Sequence, residues 1–200
     1  MFTGIVETLG TVKNISSNGG CRRFRIKPDA DFTDLAIGDS ISVNGICLTV
    51  EQLEQDEFYV TSVPETLRLT NLFTLAEDTI VNLERGMLSG TRIGGHYVQG
   101  HVDGVGEIID LQHDGDAALL LKIGLPKNLA NYIIKKGFIA LDGMSITIVD
   151  VGQQWCSVTL IPHTIANTIA KKYYVGSLVN MEVDMIAKYI EKFLDSRHEK

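Results

Sequence analysis

The sequence predicts a mainly β protein: two tandem, pseudo-symmetric antiparallel barrels followed by a C-terminal α-helix. Three observations predict it. The first half of the chain recurs in the second. The recurring segments are short, β-branched and separated by turn residues. Near residue 185 the apolar period changes from 2 to 3.6.

The repeat sets the frame. Gly4-Ile5-Val6 and Gly10-Thr11-Val12 reappear as Gly100-His101-Val102 and Gly106-Glu107-Ile108, an offset of 96. From Ile41, which matches Ile139, the offset is 98. Gly45 then matches Gly143, Thr49 matches Thr147, and Val60-Thr61 matches Val158-Thr159. Pro64-x-Thr66 matches Pro162-x-Thr164, and Val81-Asn82-Leu83-Glu84 matches Val179-Asn180-Met181-Glu182. The changed offset places an insertion in the second copy before Lys136. A period this long makes two globular units rather than a solenoid.

In chain order, strands are expected over 41–43, 46–50, 58–61 and 80–83, then over 105–111, 118–123, 138–141, 145–151, 155–161 and 178–183. About six short strands per copy suit a small closed barrel, which leaves no exposed edge. Pro64 to Leu72, Pro126 to Ile133 and Pro162 to Ala170 each begin with proline at a first helical position and are expected to be helical. Residues 86–95, with Gly90, Gly94 and Gly95, read as a crossover between the copies. In the tail, Ile186, Tyr189, Ile190, Phe193 and Leu194 form one helical stripe behind Asp184, a plausible N-cap. Such a helix folds back on a barrel or pairs with copies of itself. The domains are therefore expected at 1–96 (first barrel with linker), 97–184 (second barrel) and 185–200 (oligomerisation helix and tail).

Composition excludes several function classes. The net charge of −7 lacks the basic footprint of a nucleic-acid binder and disfavours an anionic membrane surface. Three cysteines without a CxxC pair read as reduced thiols in a cytoplasmic setting. Met1-Phe2-Thr3-Gly4 opens no signal peptide, and no apolar run approaches the roughly 18 residues of a membrane span.

The chemistry concentrates on two matching strands. After Asn44-Gly45, Ile46, Leu48 and Val50 share one face and Cys47 and Thr49 the other; after Asp142-Gly143, Met144, Ile146 and Ile148 oppose Ser145 and Thr147. The apolar faces belong in cores, leaving a thiol in one copy and a hydroxyl in the other as the centres of two similar but unequal sites. The plainer reading of Cys47 is a buried thiol acting as a small hydrophobe. Serine in the matching place argues against it, since a hydroxyl fits poorly in a core without a partner.

No Ser-His-Asp order is evident around Ser145. Gly100 to Gly106 is glycine-rich, but its flanks are strand-like, so it is no dinucleotide fingerprint. His96 and His101 face opposite sides if they share a strand, and no four-ligand metal set forms. Thr66 and Thr164 follow Pro-x and serve as turn caps or rim contacts. His101 replaces Ile5 and His163 replaces Glu65, so each breaks the symmetry; His163 reads equally as a solvated side chain. Lys136 reads most simply as a solvated charge, and Asp184 as the helix cap. Two near-equal sites suit chemistry on two copies of one molecule, where juxtaposition removes roughly 7–11 kcal/mol of a bimolecular barrier.

Together these residues resemble the riboflavin synthases of the trimeric alpha-subunit type. The resemblance runs through Met1 to Val6, Val43 to Val50, Pro64 to Leu72 and Val81 to Arg85, then Gly94-Gly95-His96 and Gln99 to Gly104. Lys136-Gly137, Asp142 to Thr147 and Ile161 to Thr164 complete it. It implies six-stranded Greek-key barrels and no metal or organic cofactor. The implied reaction is dismutation of two 6,7-dimethyl-8-ribityllumazine molecules by four-carbon transfer, giving riboflavin and 5-amino-6-ribitylamino-pyrimidinedione. It implies two lumazines per chain, a homotrimer held partly by the tail helix, and catalysis where the first barrel of one subunit meets the second of a neighbour. Association with a lumazine synthase shell, and which barrel holds the donor, stay open.

By the resemblance, the first-barrel contacts are Gly4, Ile5, Val6, Cys47, Leu48, Thr49, Ser62, Val63, Pro64, Glu65 and Thr66, with Phe2 at the edge. The second-barrel contacts are Gly100, His101, Val102, Lys136, Ser145, Ile146, Thr147, Ile161, Pro162, His163 and Thr164. Catalytic roles fall on Cys47, Ser145, His101, Thr66 and Asp184. The alternative class is a lumazine- or flavin-binding optical antenna; such relatives lack much of the catalytic set, whereas Cys47, His101 and Ser145 are all present here.

Overall fold

The computed structural model describes residues 1–115 and 117–198, with side chains given to residue 195. It contains two closed six-stranded barrels. The first is built from β1 (Thr8–Asn18), β2 (Cys21–Pro28), β3 (Ser40–Val43), β4 (Ile46–Glu54), β5 (Glu57–Ser62) and β6 (Ile80–Arg85). The second is built from β7 (Gly104–Asp114), β8 (Ala118–Gly124), β9 (Phe138–Leu141), β10 (Met144–Val151), β11 (Trp155–Leu160) and β12 (Leu178–Val183). Around the first barrel the order is β1-β2-β5-β4-β3-β6; the second repeats it with six added to every label. In each, three hairpin-linked strands close against an earlier strand through a long connection, the Greek-key arrangement.

The alternation read from sequence holds in both barrels. Ile46, Leu48 and Val50 are buried, as are Met144 and Ile148, while Thr49 and Thr147 are exposed and Cys47 and Ser145 half-buried. Ile146 is only half-buried, packed at the edge of its core. Phe24, Ile26, Phe58 and Leu83 fill the first core; Ile108, Leu121, Ile139 and Leu141 fill the second. Each such side chain contributes about 1.5–3 kcal/mol by leaving water. Val43 pairs with Ile46 and Leu141 with Met144, so the Asx-Gly pairs are two-residue hairpin turns. Asn44, Gly45, Asp142 and Gly143 all have positive φ, the type I′ geometry.

The strand reading omitted β1 and β2. In β1 the outer half, including Ser16, Ser17 and Asn18, is exposed and polar and carries little apolar alternation; in β2 Phe24 and Ile26 do alternate with Arg23, Arg25 and Lys27. The helix expected over Pro126 to Ile133 shrinks to a 3-10 turn at Ala130–Tyr132, because Leu129 and Ile133 are drawn into the core on either side. The other two proline-led segments are broken in the middle. α1 (Pro64–Leu69) is followed by a 3-10 turn at Asn71–Thr74, and α2 (Pro162–Asn167) by one at Ile169–Lys172. At each break a threonine is extended. Thr70 Oγ1 donates to the Thr66 carbonyl (2.6 Å) and Thr168 Oγ1 to that of Thr164 (2.7 Å), while each caps the following turn.

The barrels meet tip to tip through Gly45 and Gly143, where a Cβ on Gly45 would lie 2.6 Å from the Gly143 nitrogen. A buried amide clamp surrounds this contact. Asn82 Nδ2 donates to the Asp142 carbonyl and Asn180 Nδ2 to the Asn44 carbonyl, each at 2.8 Å. The Ile169 amide donates to Asn82 Oδ1 (2.8 Å) and the Asn71 amide to Asn180 Oδ1 (2.7 Å). A satisfied polar network of this kind specifies one docking geometry.

α3 (Met185–His198) begins where Asp184 Oδ1 accepts the Ile186 amide at 3.0 Å, the expected cap. Lys188 pairs with Asp103 (2.6 Å) and the Tyr132 hydroxyl donates to Glu191, which tie the helix to the second barrel. Ile186, Tyr189 and Ile190 face away, each more than half exposed. Glu199 and Lys200 of the expected tail lie outside the described residues. Among the described residues no helix is long and apolar enough to cross a membrane.

Candidate functional site

The two outward strand faces are not open. Each is crossed by a strap of chain that belongs in sequence to the other barrel. The Ser145 amide donates to the Gly4 carbonyl at 2.7 Å, and the Cys47 amide to the Gly100 carbonyl at 2.9 Å. Val6 packs against the second core and Val102 against the first. The straps pair at Phe2 and Val98 through reciprocal amide–carbonyl bonds of 2.7 and 3.1 Å. The sequence reading therefore needs a correction in its grouping. Gly4, Ile5 and Val6 accompany Ser145, and Gly100, His101 and Val102 accompany Cys47. Strands specify which face looks outward; only folding specifies which strap covers it.

Each strap is anchored on its own barrel by a buried carboxylate. Glu84 accepts from the amide and hydroxyl of Thr3 (2.6 and 2.7 Å) and from the Gly4 amide (3.1 Å). Glu182 accepts from the amides of Gln99 (2.6 Å) and Gly100 (2.8 Å). Burial pushes both carboxyl groups above their usual range, and the amide hydrogen bonds oppose it. Sequence reading assigned these two residues no role, although a glutamate kept at matching places in two core-facing strands was the available signal.

The faces differ in what meets the central side chain. Ser145 Oγ lies 2.6 Å from His96 Nδ1. Gly95 makes this approach feasible, because a Cβ there would sit 2.5 Å from Ser145 Cβ. His96 is buried, its Nε2 has no partner among the described residues, and its ring stacks on Phe138. Burial holds the imidazole below its usual pKa, while the Asp184 carboxylate pulls the other way. In the sequence His96 stands only at the end of a Gly-Gly-His motif, with no spacing that marks it as a partner of Ser145. Its role depends on the glycine pair before it, which lets the linker press onto the strand. Cys47 instead packs against an apolar cluster of Phe2, Val98 and Ala140.

The remaining expected residues line the surroundings. Leu48 is buried in the first core, so only its backbone is available to a ligand. Ser62 is buried, with its hydroxyl unpaired among the described residues. Val63 and Ile161 are the exposed N-caps of α1 and α2, 51% and 58% accessible. Pro64, Glu65, Pro162 and His163 form the exposed first turns that follow, with Thr66 and Thr164 half-buried behind them. Glu65 is engaged by Arg68, and His163 contacts Asn167 within α2. His101 is exposed on the Cys47 side. Lys136 is exposed with φ of 66°, its amide donating to Ile148. Two clefts of about 660 and 530 Å³ flank the first barrel, and neither is lined by Cys47 or Ser145. Among the described residues, no three His, Cys, Asp or Glu side chains gather in metal-ligating geometry.

Duplicated barrels with strapped, unequal outward faces define a class, the lumazine-binding double barrels. The lumazine binding domain model matches residues 3–86 and again 99–184. The riboflavin synthase of Schizosaccharomyces pombe is 45% identical over 199 residues, covering 98% of this chain and 95% of its own. That of Bacillus subtilis is 41% identical over 199 residues, covering 100% and 92%. The crystal structure of LumP complexed with 6,7-dimethyl-8-(1′-D-ribityl) lumazine superposes with a TM-score of 0.82 at 26% identity, covering 92% of this chain and 99% of that one. The chain belongs to the riboflavin synthase family.

Proposed function

We infer that the chain is a riboflavin synthase, dismutating two molecules of 6,7-dimethyl-8-ribityllumazine into riboflavin and 5-amino-6-ribitylamino-pyrimidinedione. The observation that carries this beyond lumazine binding is the Ser145–His96 pair at 2.6 Å on one of the two strapped faces. A bare binding face has no need of a buried imidazole against a hydroxyl. One molecule loses four carbons and the other gains them, so the reaction is redox-neutral. Its difficult steps are removal of a proton from an exocyclic methyl group and addition of a nucleophile to the ring. His96, kept neutral by burial, takes and returns a proton through Ser145 Oγ, and the resulting carbanion is delocalised in the lumazine itself. Cys47 and His101, on the opposite face, assist addition at the second molecule. Asp184 joins the set through its charge on His96.

The flat ring is held by backbone donors and acceptors along Leu48–Thr49, Ser62–Thr66 and Gly100–Val102 on one face. Gly4–Val6, Lys136, Ile146–Thr147 and Ile161–Thr164 hold it on the other. The functional domains are 1–96, 97–184 and the helix with its tail, 185–200.

A homotrimer is the assembly this reading requires. The apolar stripe of α3 turns away from its own barrel, and Ile5, Val63 and Ile161 leave apolar surface around the sites for a substrate and a neighbouring barrel to cover. The reduced thiols suit a cytoplasmic enzyme, and a lumazine synthase is the further partner to test by co-sedimentation.

Purified protein mixed with 6,7-dimethyl-8-ribityllumazine, in buffer containing a chelator, tests the reading by absorbance and fluorescence. About one riboflavin should form per two lumazines consumed, the ratio set by two-substrate chemistry. Binding without turnover would place the protein with the optical antennae.

A further inference from the structure

We propose that Phe138 is a positioning residue for this reaction, stacked on His96 so that Nδ1 stays on Ser145 Oγ; the catalytic part rests on the synthase reading. Phe138 begins β9 and pairs across the ladder with Thr147, as Ala140 pairs with Ser145. The four side chains therefore share one face of the barrel. His96 lies against that face and contacts it at both ends. Its Nδ1 is 2.6 Å from Ser145 Oγ, and its ring is within 11° of parallel to Phe138, with centroids 5.2 Å apart. His96 sits in the crossover between the barrels, outside every strand and helix; its amide donates to the Thr3 carbonyl at 3.2 Å, which ties the main chain to the strap but leaves the ring free to turn about its side-chain bonds. The hydrogen bond to Ser145 constrains one atom and leaves rotation about it. A parallel aromatic plane removes that freedom.

The other half of the molecule supplies the control. The position matching Phe138 is Ser40, which pairs with Thr49 just as Phe138 pairs with Thr147. The threonines are retained in both copies, but the aromatic stands only where a histidine needs support. Phe138 is also 43% exposed, too accessible to be explained as core. A barrel residue with no task beyond solvation would be polar there, as Ser40 is. The Asp184 carboxylate acts on the ring through its charge, which favours the protonated form and does not orient the plane.

The test uses Phe138→Ser, the first-barrel residue at this place, and Phe138→Tyr, which keeps the plane. Imidazole nitrogen NMR of the substrate-free protein, with His96 assigned by its loss in His96→Asn, reads the ring without recourse to activity. Steady-state turnover of lumazine reads the consequence. Phe138→Ser should move the His96 titration up toward that of an open histidine and lower kcat about 10-fold, with KM changed less than about threefold, as for a misplaced catalytic group. Phe138→Tyr should restore both. Phe138→Ser with unchanged His96 signals and kcat would overturn the proposal, as would a Phe138→Tyr protein as impaired as Phe138→Ser. If the unaltered protein makes no riboflavin, the synthase reading fails, and the NMR series still decides whether Phe138 holds the ring.

Discussion

The Cys47 and Ser145 faces are built on one plan and finished differently. Both lie on the strand after a type I′ turn, and both give their amide to a glycine carbonyl of a crossing strap. Both straps hang from a buried glutamate, Glu84 or Glu182. The difference is in what the chain could bring to each. The crossover between the barrels brings Gly95 and His96 onto Ser145. Cys47 instead packs its side chain against the apolar cluster of Phe2, Val98 and Ala140. The two faces thus share a frame, and the crossover between the copies sets a buried imidazole against one of them.

Removing the histidine should break the comparison most severely. His96→Asn is expected to lower kcat about 100- to 1000-fold, the lower part of the range for a general acid–base group, while both faces still bind lumazine. Equilibrium fluorescence titration beside initial rates checks it, and near-normal turnover would transfer the chemistry to the Cys47 face.

The next largest effect concerns the inter-barrel clamp, where Asn44 faces Asp142. Asp142 is fully buried and accepts from Tyr173 (2.6 Å), the Asn180 amide (2.9 Å) and Asn71 (3.1 Å). Burial pushes its pKa up to about 6. A carboxyl raised in the fold above its unfolded value near 3.9 favours folding when protonated. Its contribution is complete below about pH 4 and is lost as pH rises through about 6. Asp142→Asn should flatten that segment of the stability curve, worth about 2–3 kcal/mol, in urea melts taken between pH 4 and 7. An unchanged slope would show that the asymmetry in the clamp has no electrostatic content.

Gly95→Ala should cost about 2 kcal/mol of stability, because the new methyl group collides with Ser145 and the strap. It should also impair turnover more than lumazine binding at the Cys47 face. Thermal melts with site-resolved titration would show this, and equal damage to both faces would mean that the linker serves the two alike. Cys47→Ser is the mildest change, expected to reduce kcat about 10-fold, since it keeps the strap hydrogen bond and alters one reacting side chain. A loss matching that of His96→Asn would erase the distinction between the faces.

How much was legible follows from the range of each interaction. Strand alternation is local, so Cys47, Thr49, Ser145 and Thr147 could be placed outward from sequence, with Ile46, Leu48, Met144 and Ile148 behind them. Asp184 was recognisable as a cap because its partner, the Ile186 amide, lies two residues away. β1 was missed because its outer half is largely exposed and polar and carries no apolar period; β2 was missed although Phe24 and Ile26 alternate with Arg23, Arg25 and Lys27.

The sequence by itself determined two copies of one barrel, the buried face of most strands and the terminal helix. Tertiary structure alone decided that the straps exchange, that Asn82 and Asn180 clamp the barrels, and that His96 rests on Ser145 across a separation of 49 residues. The reason is physical. Burial of one face of a strand is encoded in the alternation of that strand. What covers the opposite face depends on where two closed barrels dock, and that is settled by a glycine-on-glycine contact and a few amide hydrogen bonds with no period to read.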